Sequence, residues 1–179
     1  MKKKVIIISA SPRKHGNSDL LCDQFQKGAQ DAGHKAEKIF LRDKKMNYCL
    51  GCMKCQSNGG KCVQKDDMEE ILEKIVQADV LVLATPVYFY NMDGQMKVLI
   101  DRTCPRYTEI ANKNVYLIAT STDTGPGAME GTINGFKSAL SCYPGADIAG
   151  TICGTGVTQV GDIKESPVMV EAYEMGKSV

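Results

Sequence analysis

Val5-Ile6-Ile7-Ile8 restricts the fold more than any other stretch: four consecutive β-branched residues, followed at once by the polar segment Ser9 to Ser18 (SASPRKHGNS). A run without polar alternation suits a parallel strand covered on both faces. Val80-Leu81-Val82-Leu83-Ala84 and Val115 to Ala119 repeat the pattern. Helical spacing follows each polar segment. Leu20, Leu21 and Phe25 mark a first helix from about Ser18 to Ala32, with Asn17 or Ser18 as its N-cap and Gly33 as its stop.

The rest of the chain alternates in the same way. His34 to Leu41 offers a charged strand suited to a sheet edge. A helix begins at Asp66-Asp67-Met68-Glu69-Glu70, acids in its first turn, with Met68, Ile71, Leu72, Ile75 and Val76 on its buried face. Further helices are expected over Met92–Arg102, Met129–Cys142 and Glu165–Gly176, with a last strand over Ala146–Cys153. Strands alternating with helices predict an α/β fold: a flavodoxin-like, doubly wound, five-stranded parallel sheet of order 2-1-3-4-5 with helices on both faces. Residues 1–179 are expected to form one domain, with the aperiodic, cysteine-rich loop 42–64 inserted after the second strand.

Composition narrows the partners. A formal charge of +1 and 43% hydrophobic residues give neither a nucleic-acid footprint nor a disordered chain. The apolar stretch after Lys2-Lys3-Lys4 stops at Ile8, too short for an export signal, and no membrane-spanning segment occurs. A cytoplasmic location is therefore expected. There, eight cysteines point to thiol, metal or cluster chemistry rather than a disulfide scaffold.

Ligands of open α/β sheets sit beyond the carboxyl ends of the strands. Three loops leave those ends: Ser9–Ser18, Thr85–Asn91 and Thr120–Gly127. The first gathers hydroxyls, an arginine and a helix N-terminus, a setting that favours phosphate. It lacks both G-x-G-x-x-G and G-x-x-x-x-G-K-[ST], which disfavours a dinucleotide or a triphosphate. A monophosphate held by Ser11, Arg13, Asn17 and Ser18 remains, and flavin mononucleotide carries one. The second loop sets Tyr88, Phe89 and Tyr90 beside Pro86, where a flat heterocycle can be flanked. The third supplies Thr120, Ser121, Thr122 and Asp123 for hydrogen bonding.

These stretches, with C-L-G-C-M-K-C at Cys49–Cys55, A-T-P-V-Y-F at Ala84–Phe89 and Q-M-K-V-L-I-D-R at Gln95–Arg102, resemble the NADPH-dependent FMN reductase family, in particular its iron–sulfur flavoprotein branch. The resemblance covers roughly the first hundred residues. It implies FMN on a flavodoxin-like fold, a homodimer or homotetramer, and electrons arriving from NAD(P)H or ferredoxin and leaving to a small-molecule acceptor. Ser11, Arg13, Asn17 and Ser18 would hold the phosphate. Pro86, Val87, Tyr88 and Phe89 would line the isoalloxazine, with Ser121 and Thr122 opposite. Ala10 stands where relatives commonly have Gly. No catalytic side chain is required, because a flavin carries the chemistry itself.

Cys49, Cys52, Cys55 and Cys62 read C-x2-C-x2-C-x6-C, and the first three share the spacing with which bacterial ferredoxins wrap a cubane. Four fates are open to them: ligands of a 4Fe–4S cluster, ligands of structural zinc, a redox-active disulfide, or free thiols. Cys22, Cys104, Cys142 and Cys153 are expected as small buried hydrophobes. Lys97, Asp101 and Arg102 fit either a cofactor contact or a solvated or interfacial helix face. Two competitors to an enzyme remain at this level: a flavodoxin-type electron carrier, and a thiol- or metal-based redox sensor. Carriers are usually strongly acidic and commonly flank flavin with Trp, whereas this chain is near neutral and has no Trp.

Overall fold

In the computed structural model, which describes residues 1–179, the aliphatic runs lie side by side. The strands are β1 (Lys4–Ser9), β2 (Lys35–Phe40), β3 (Val80–Tyr88), β4 (Asn91–Met92), β5 (Asn114–Thr120) and β6 (Asp147–Gly154). Five of them pair in parallel as β2-β1-β3-β5-β6. The two-residue β4 folds back antiparallel on the end of β3, off that path. Apart from β4, the strand order is the expected one.

The helices are α1 (Asn17–Asp31), α2 (Lys54–Ser57), α3 (Met68–Gln77), α4 (Gly94–Arg102), α5 (Glu130–Leu140) and α6 (Val168–Lys177). Because successive side chains of a strand point to opposite faces, β1 feeds two cores. Ile6 and Ile8 pack with Leu81, Leu83 and Leu117 beneath α3, α4 and α5, whereas Val5 and Ile7 pack with Val82, Ile118 and Ile152 beneath α1 and α6. No helix is long and apolar enough to cross a membrane.

Several boundaries differ from the sequence reading. β3 continues through Thr85 and Pro86, which pair with Ala119 and Thr120, and reaches Tyr88 by pairing with β4. The N-cap of α1 is Gly16, and no side chain caps the helix. The stretch 42–64 contains the single turn α2, and a 3-10 turn, Leu41–Asp43, leads into it. Of the four cysteines outside the cysteine-rich loop, only Cys22 is fully buried; Cys142 is exposed, and Cys104 and Cys153 lie part-way.

The terminal helix is held by a close crossing rather than by bulky side chains. A Cβ on Gly28 of α1 would fall 2.0 Å from the Tyr173 carbonyl oxygen, and one on Gly176 of α6 would fall 2.1 Å from the Phe25 oxygen. Backbone therefore lies against backbone at both positions, and neither helix has room for a methyl group. We expect Gly28→Ala to lower the unfolding free energy by about 1–3 kcal/mol, overpacking outweighing the better helix propensity of alanine. Urea denaturation of the two proteins measures it, and an unchanged midpoint would refute the crossing.

Candidate functional site

β1 ends at Ser9 and delivers the chain into a tight turn at the mouth of the sheet. Ser11 is buried, and its Oγ donates to the Arg13 carbonyl (3.0 Å) while accepting from the Arg13 N–H (3.2 Å). A Cβ on Gly16 would fall 2.4 Å from that Oγ, so the turn needs glycine there. With no side-chain cap, the first N–H groups of α1 have no intrahelical acceptor. Beside them Ser18 Oγ is 1% exposed and has no hydrogen-bond partner. A buried hydroxyl without a partner at an open helix N-terminus matches the oxygen-rich phosphate of FMN in both charge and hydrogen-bonding sense.

The other two residues expected at the phosphate, Asn17 and Arg13, have their side chains engaged elsewhere. Asn17 Nδ2 donates to the Gln159 carbonyl (2.9 Å), and its Oδ1 accepts from the N–H groups of Gly161 (3.1 Å) and Ile163 (3.3 Å). The Arg13 guanidinium donates to the Thr158 carbonyl at 2.7 Å. Asn17 is thus a clamp for the segment after β6, and Arg13 lies exposed beside it. This fourth segment joins the three loops expected from sequence. Thr158 Oγ1 lies 3.2 Å from Thr122 Oγ1, and Val157 N–H donates to the Ser121 carbonyl at 3.0 Å. Ser121 is buried, its Oγ accepting from the Asp123 N–H, while Thr122 is exposed.

Thr85–Asn91 is a strand end and a tight hairpin rather than a loop. Pro86 is buried, Val87 half-buried, and Val87 and Tyr88 pair with Met92 and Asn91. The two residues between, Phe89 and Tyr90, sit at φ 49° and 60°. Two left-handed residues in a two-residue hairpin favour Asn-Gly, and here two aromatics occupy them. Backbone strain of this kind costs roughly 1–3 kcal/mol per residue and collects at functional sites. Phe89 is fully exposed, and Tyr90 reaches across to donate its hydroxyl to Asp123 Oδ2 (2.8 Å), tying the hairpin to the third loop. That contact raises the Tyr90 pKa.

Asp93 supports the hairpin from below. It caps α4, accepting from the Met96 N–H (3.0 Å), while its own N–H donates to Thr85 Oγ1 (3.0 Å). It is 1% exposed, Oδ2 has no partner, and burial pushes its pKa up to about 6.

The cysteine-rich loop leaves the sheet at the end of β2, where Phe40 pairs in register with Ser9 of β1, and its two ends are fastened together. Asp67 Oδ2 accepts from Lys45 N–H (2.8 Å), and Gln64 Nε2 donates to the Tyr48 carbonyl (3.0 Å). Arg102, buried at the end of α4, grips Asp66 bidentately (2.7 and 2.8 Å) and donates to the Asn47 carbonyl (2.6 Å). Its guanidinium holds the Asp66 carboxyl below the usual range. Of the three helix residues singled out by sequence, Lys97 and Asp101 form an exposed pair, and Arg102 is the buried anchor of the loop. Cys49, Cys52, Cys55 and Cys62 line one small concavity, and Cys104 joins them from beyond α4. A groove of about 940 Å³ lies nearby between α3 and residues 59–64 and is lined mainly by charged and polar side chains.

Two outcomes follow from the hairpin. The double substitution Phe89→Asn with Tyr90→Gly should raise the unfolding free energy by roughly 1–3 kcal/mol, because both new residues accept the left-handed conformation; a lower denaturant midpoint would count against the strain. For Asp93, the folded pKa exceeds the unfolded one, so the folded chain keeps a proton that the unfolded chain loses between about pH 4 and 6. This contribution is complete below pH 4 and is lost as pH rises through 6, about 1.4 kcal/mol per pH unit at most. Asp93→Asn retains the cap and removes the slope, so its advantage over the parent should grow from pH 4 to pH 7. Parallel stability–pH curves would refute this assignment.

Comparison with known proteins bears on the same residues. The family model described as NADPH-dependent FMN reductase matches residues 3–143. An iron–sulfur flavoprotein of Methanocaldococcus jannaschii is 35% identical over 98% of this chain and 95% of its own length. An iron–sulfur flavoprotein of Archaeoglobus fulgidus is 42% identical over 57% of this chain, which spans only about half (46%) of that relative. Among solved structures, an NAD(P)H:quinone oxidoreductase from Methanothermobacter marburgensis superposes with TM-score 0.78 at 18% identity, covering 99% of this chain and 96% of that one. The last likeness shows the fold alone. With the family model matching well over half of its length, the chain belongs to the NADPH-dependent FMN reductase family.

Proposed function

We infer that this protein is an FMN-dependent oxidoreductase that passes electrons from NAD(P)H or ferredoxin to a small-molecule acceptor such as a flavin, a quinone or an oxygen species. The observation that carries the reading is Ser18: a buried hydroxyl without a partner, at an uncapped helix N-terminus, at the carboxyl edge of a parallel sheet. In this reading the phosphate sits against Ser18, the N–H groups of Asn17 and Ser18, and the turn shaped by Ser11 and Gly16. Arg13 turns from the Thr158 carbonyl toward it, and Asn17 keeps the segment after β6 in place. Pro86, Val87, Tyr88 and Phe89 line one side of the isoalloxazine, with Ser121 and Thr122 opposite. FMN supplies two-electron hydride chemistry and one-electron chemistry when bound. The chain's part is to hold the ring, expose one face and keep the phosphate charge compensated.

Cys49, Cys52, Cys55 and Cys62 are assigned to a 4Fe–4S cluster. The support is their spacing, their shared concavity and the naming of several relatives as iron–sulfur flavoproteins. Arg102 then serves the cluster by fixing both ends of the loop. A homodimer or homotetramer in the cytoplasm remains part of the proposal.

Protein purified without air should be yellow, bind FMN at one per chain, and show a broad iron–sulfur shoulder under the flavin bands. Ser18→Ala should weaken FMN binding about ten- to a hundredfold, the loss of one hydrogen bond to a charged group, read by quenching of FMN fluorescence. Colourless protein that refuses added FMN would overturn the reading. Consumption of NADPH with a quinone distinguishes an enzyme from a carrier, which would turn over almost none.

A further inference from the structure

The concavity assigned to the cluster contains one thiol more than a cubane takes from four ligands. The extra one, Cys104, lies outside the C-x2-C-x2-C-x6-C motif, two residues beyond the end of α4. It faces the loop all the same, lining the same concavity as Cys49, Cys52, Cys55 and Cys62.

Cys104 is held against Cys55 in particular. Cys55 sits on the one-turn helix α2, and the next residue, Gln56, staples that turn to the segment after α4. Its Nε2 donates to the Cys104 carbonyl at 3.0 Å and lies 3.6 Å from Cys104 Sγ and 4.0 Å from Cys55 Sγ. Both sulfurs thus lie within 4.0 Å of one side-chain nitrogen. Further along, a Cβ on Gly60 would fall 3.0 Å from the Pro105 carbonyl oxygen, so the loop backbone rests on the residue after Cys104. Behind both, the Arg102–Asp66 pair prevents the loop ends from drifting. Two sulfurs on separate segments are thus kept together by contacts that involve neither sulfur's ligation.

We propose that Cys55 and Cys104 form a reversible disulfide when the loop holds no cluster, with a hydroperoxide as the oxidant. One thiolate attacks the peroxide, the O–O bond breaks, and hydroxide leaves and takes up a proton as the first water. The second thiolate then displaces hydroxide from the resulting sulfenic acid, forming the S–S bond, and that hydroxide takes up the proton lost by the second thiol and leaves as the second water. Two thiols lose two electrons, hydrogen peroxide accepts them, and thiol reductants reverse the change. The bridge occupies one of the four motif cysteines, so the oxidised loop cannot receive a cluster until it is reduced. Only this consequence rests on the cluster reading; the bridge itself does not.

The test uses full-length protein freed of metal by chelation, reduced, and stripped of reductant without air. One equivalent of hydrogen peroxide is added, remaining thiols are alkylated, and the unreduced protein is digested. Trypsin cuts after Lys54, Lys61, Arg102 and Arg106, which separates Cys55 and Cys104 from each other and from the remaining motif cysteines. The expected product is a single cross-linked pair of peptides, 55–61 with 103–106, and two fewer titratable thiols per chain. It should be absent from Cys104→Ser and from Cys55→Ser. A first bridge between other cysteines, or Cys104 still alkylated after the full equivalent, would overturn the proposal. Iron measured on an untreated, anaerobically purified batch tests the cluster reading separately. An iron-free batch that still forms the 55–104 bridge sinks that reading and supports this one.

Discussion

Burial of the central strands on both faces is the constraint from which the rest of the architecture follows. Val80 to Ala84 in β3 and Val5 to Ile8 in β1 have no solvent-facing side, so no polar group can be displayed along their length without a desolvation penalty. Chemistry is thereby driven to the strand ends, and the parallel arrangement brings the ends of β1, β3, β5 and β6 to one edge. The serine-rich turn, the aromatic hairpin and the Thr120–Gly127 loop meet there because their strands are neighbours, although they are far apart in sequence.

Around that edge the molecule keeps its polar groups under tension. Ser18 Oγ and Asp93 Oδ2 are buried without partners, and Phe89 and Tyr90 hold left-handed backbone angles that aromatics avoid. Unsatisfied and strained groups gather where a ligand or a moving segment is to be received. The paired groups do the opposite work. Arg102 with Asp66, and Asn17 with residues 159–163, pin irregular segments that lack a hydrophobic core of their own. In each case one buried side chain replaces the packing that a loop cannot supply.

How much of this was legible in the sequence depended on whether the signal was local. The β-branched runs, the edge character of β2 and the buried stripe of α3 all lie within short windows, and each appears in the structure with boundaries shifted by a few residues. The hairpin was not legible, because Phe-Tyr carries none of the Asn-Gly signature of a tight turn and its geometry is imposed by β4 pairing and the Tyr90–Asp123 contact. The place of Asn17 in the turn suggests a cap or a phosphate donor. Its amide is taken by a segment about 140 residues away, and nothing near it in sequence announces that. In sequence Arg102 is one of three charges on a helix face, and only the fold turns it inward.

By itself the sequence determined the class of the fold, the family, and the set of polar and sulfur-bearing residues available to a cofactor, since these follow from periodicity and from motifs spaced along the chain. The tertiary structure alone decided which of those residues are free. It left Ser18 open and closed Asn17, put Cys104 beside Cys55, and buried Arg102 under the loop. The physical reason is that hydrogen-bond satisfaction and thiol proximity are properties of contacts, and those contacts join segments that only the packing of helices on the sheet brings together.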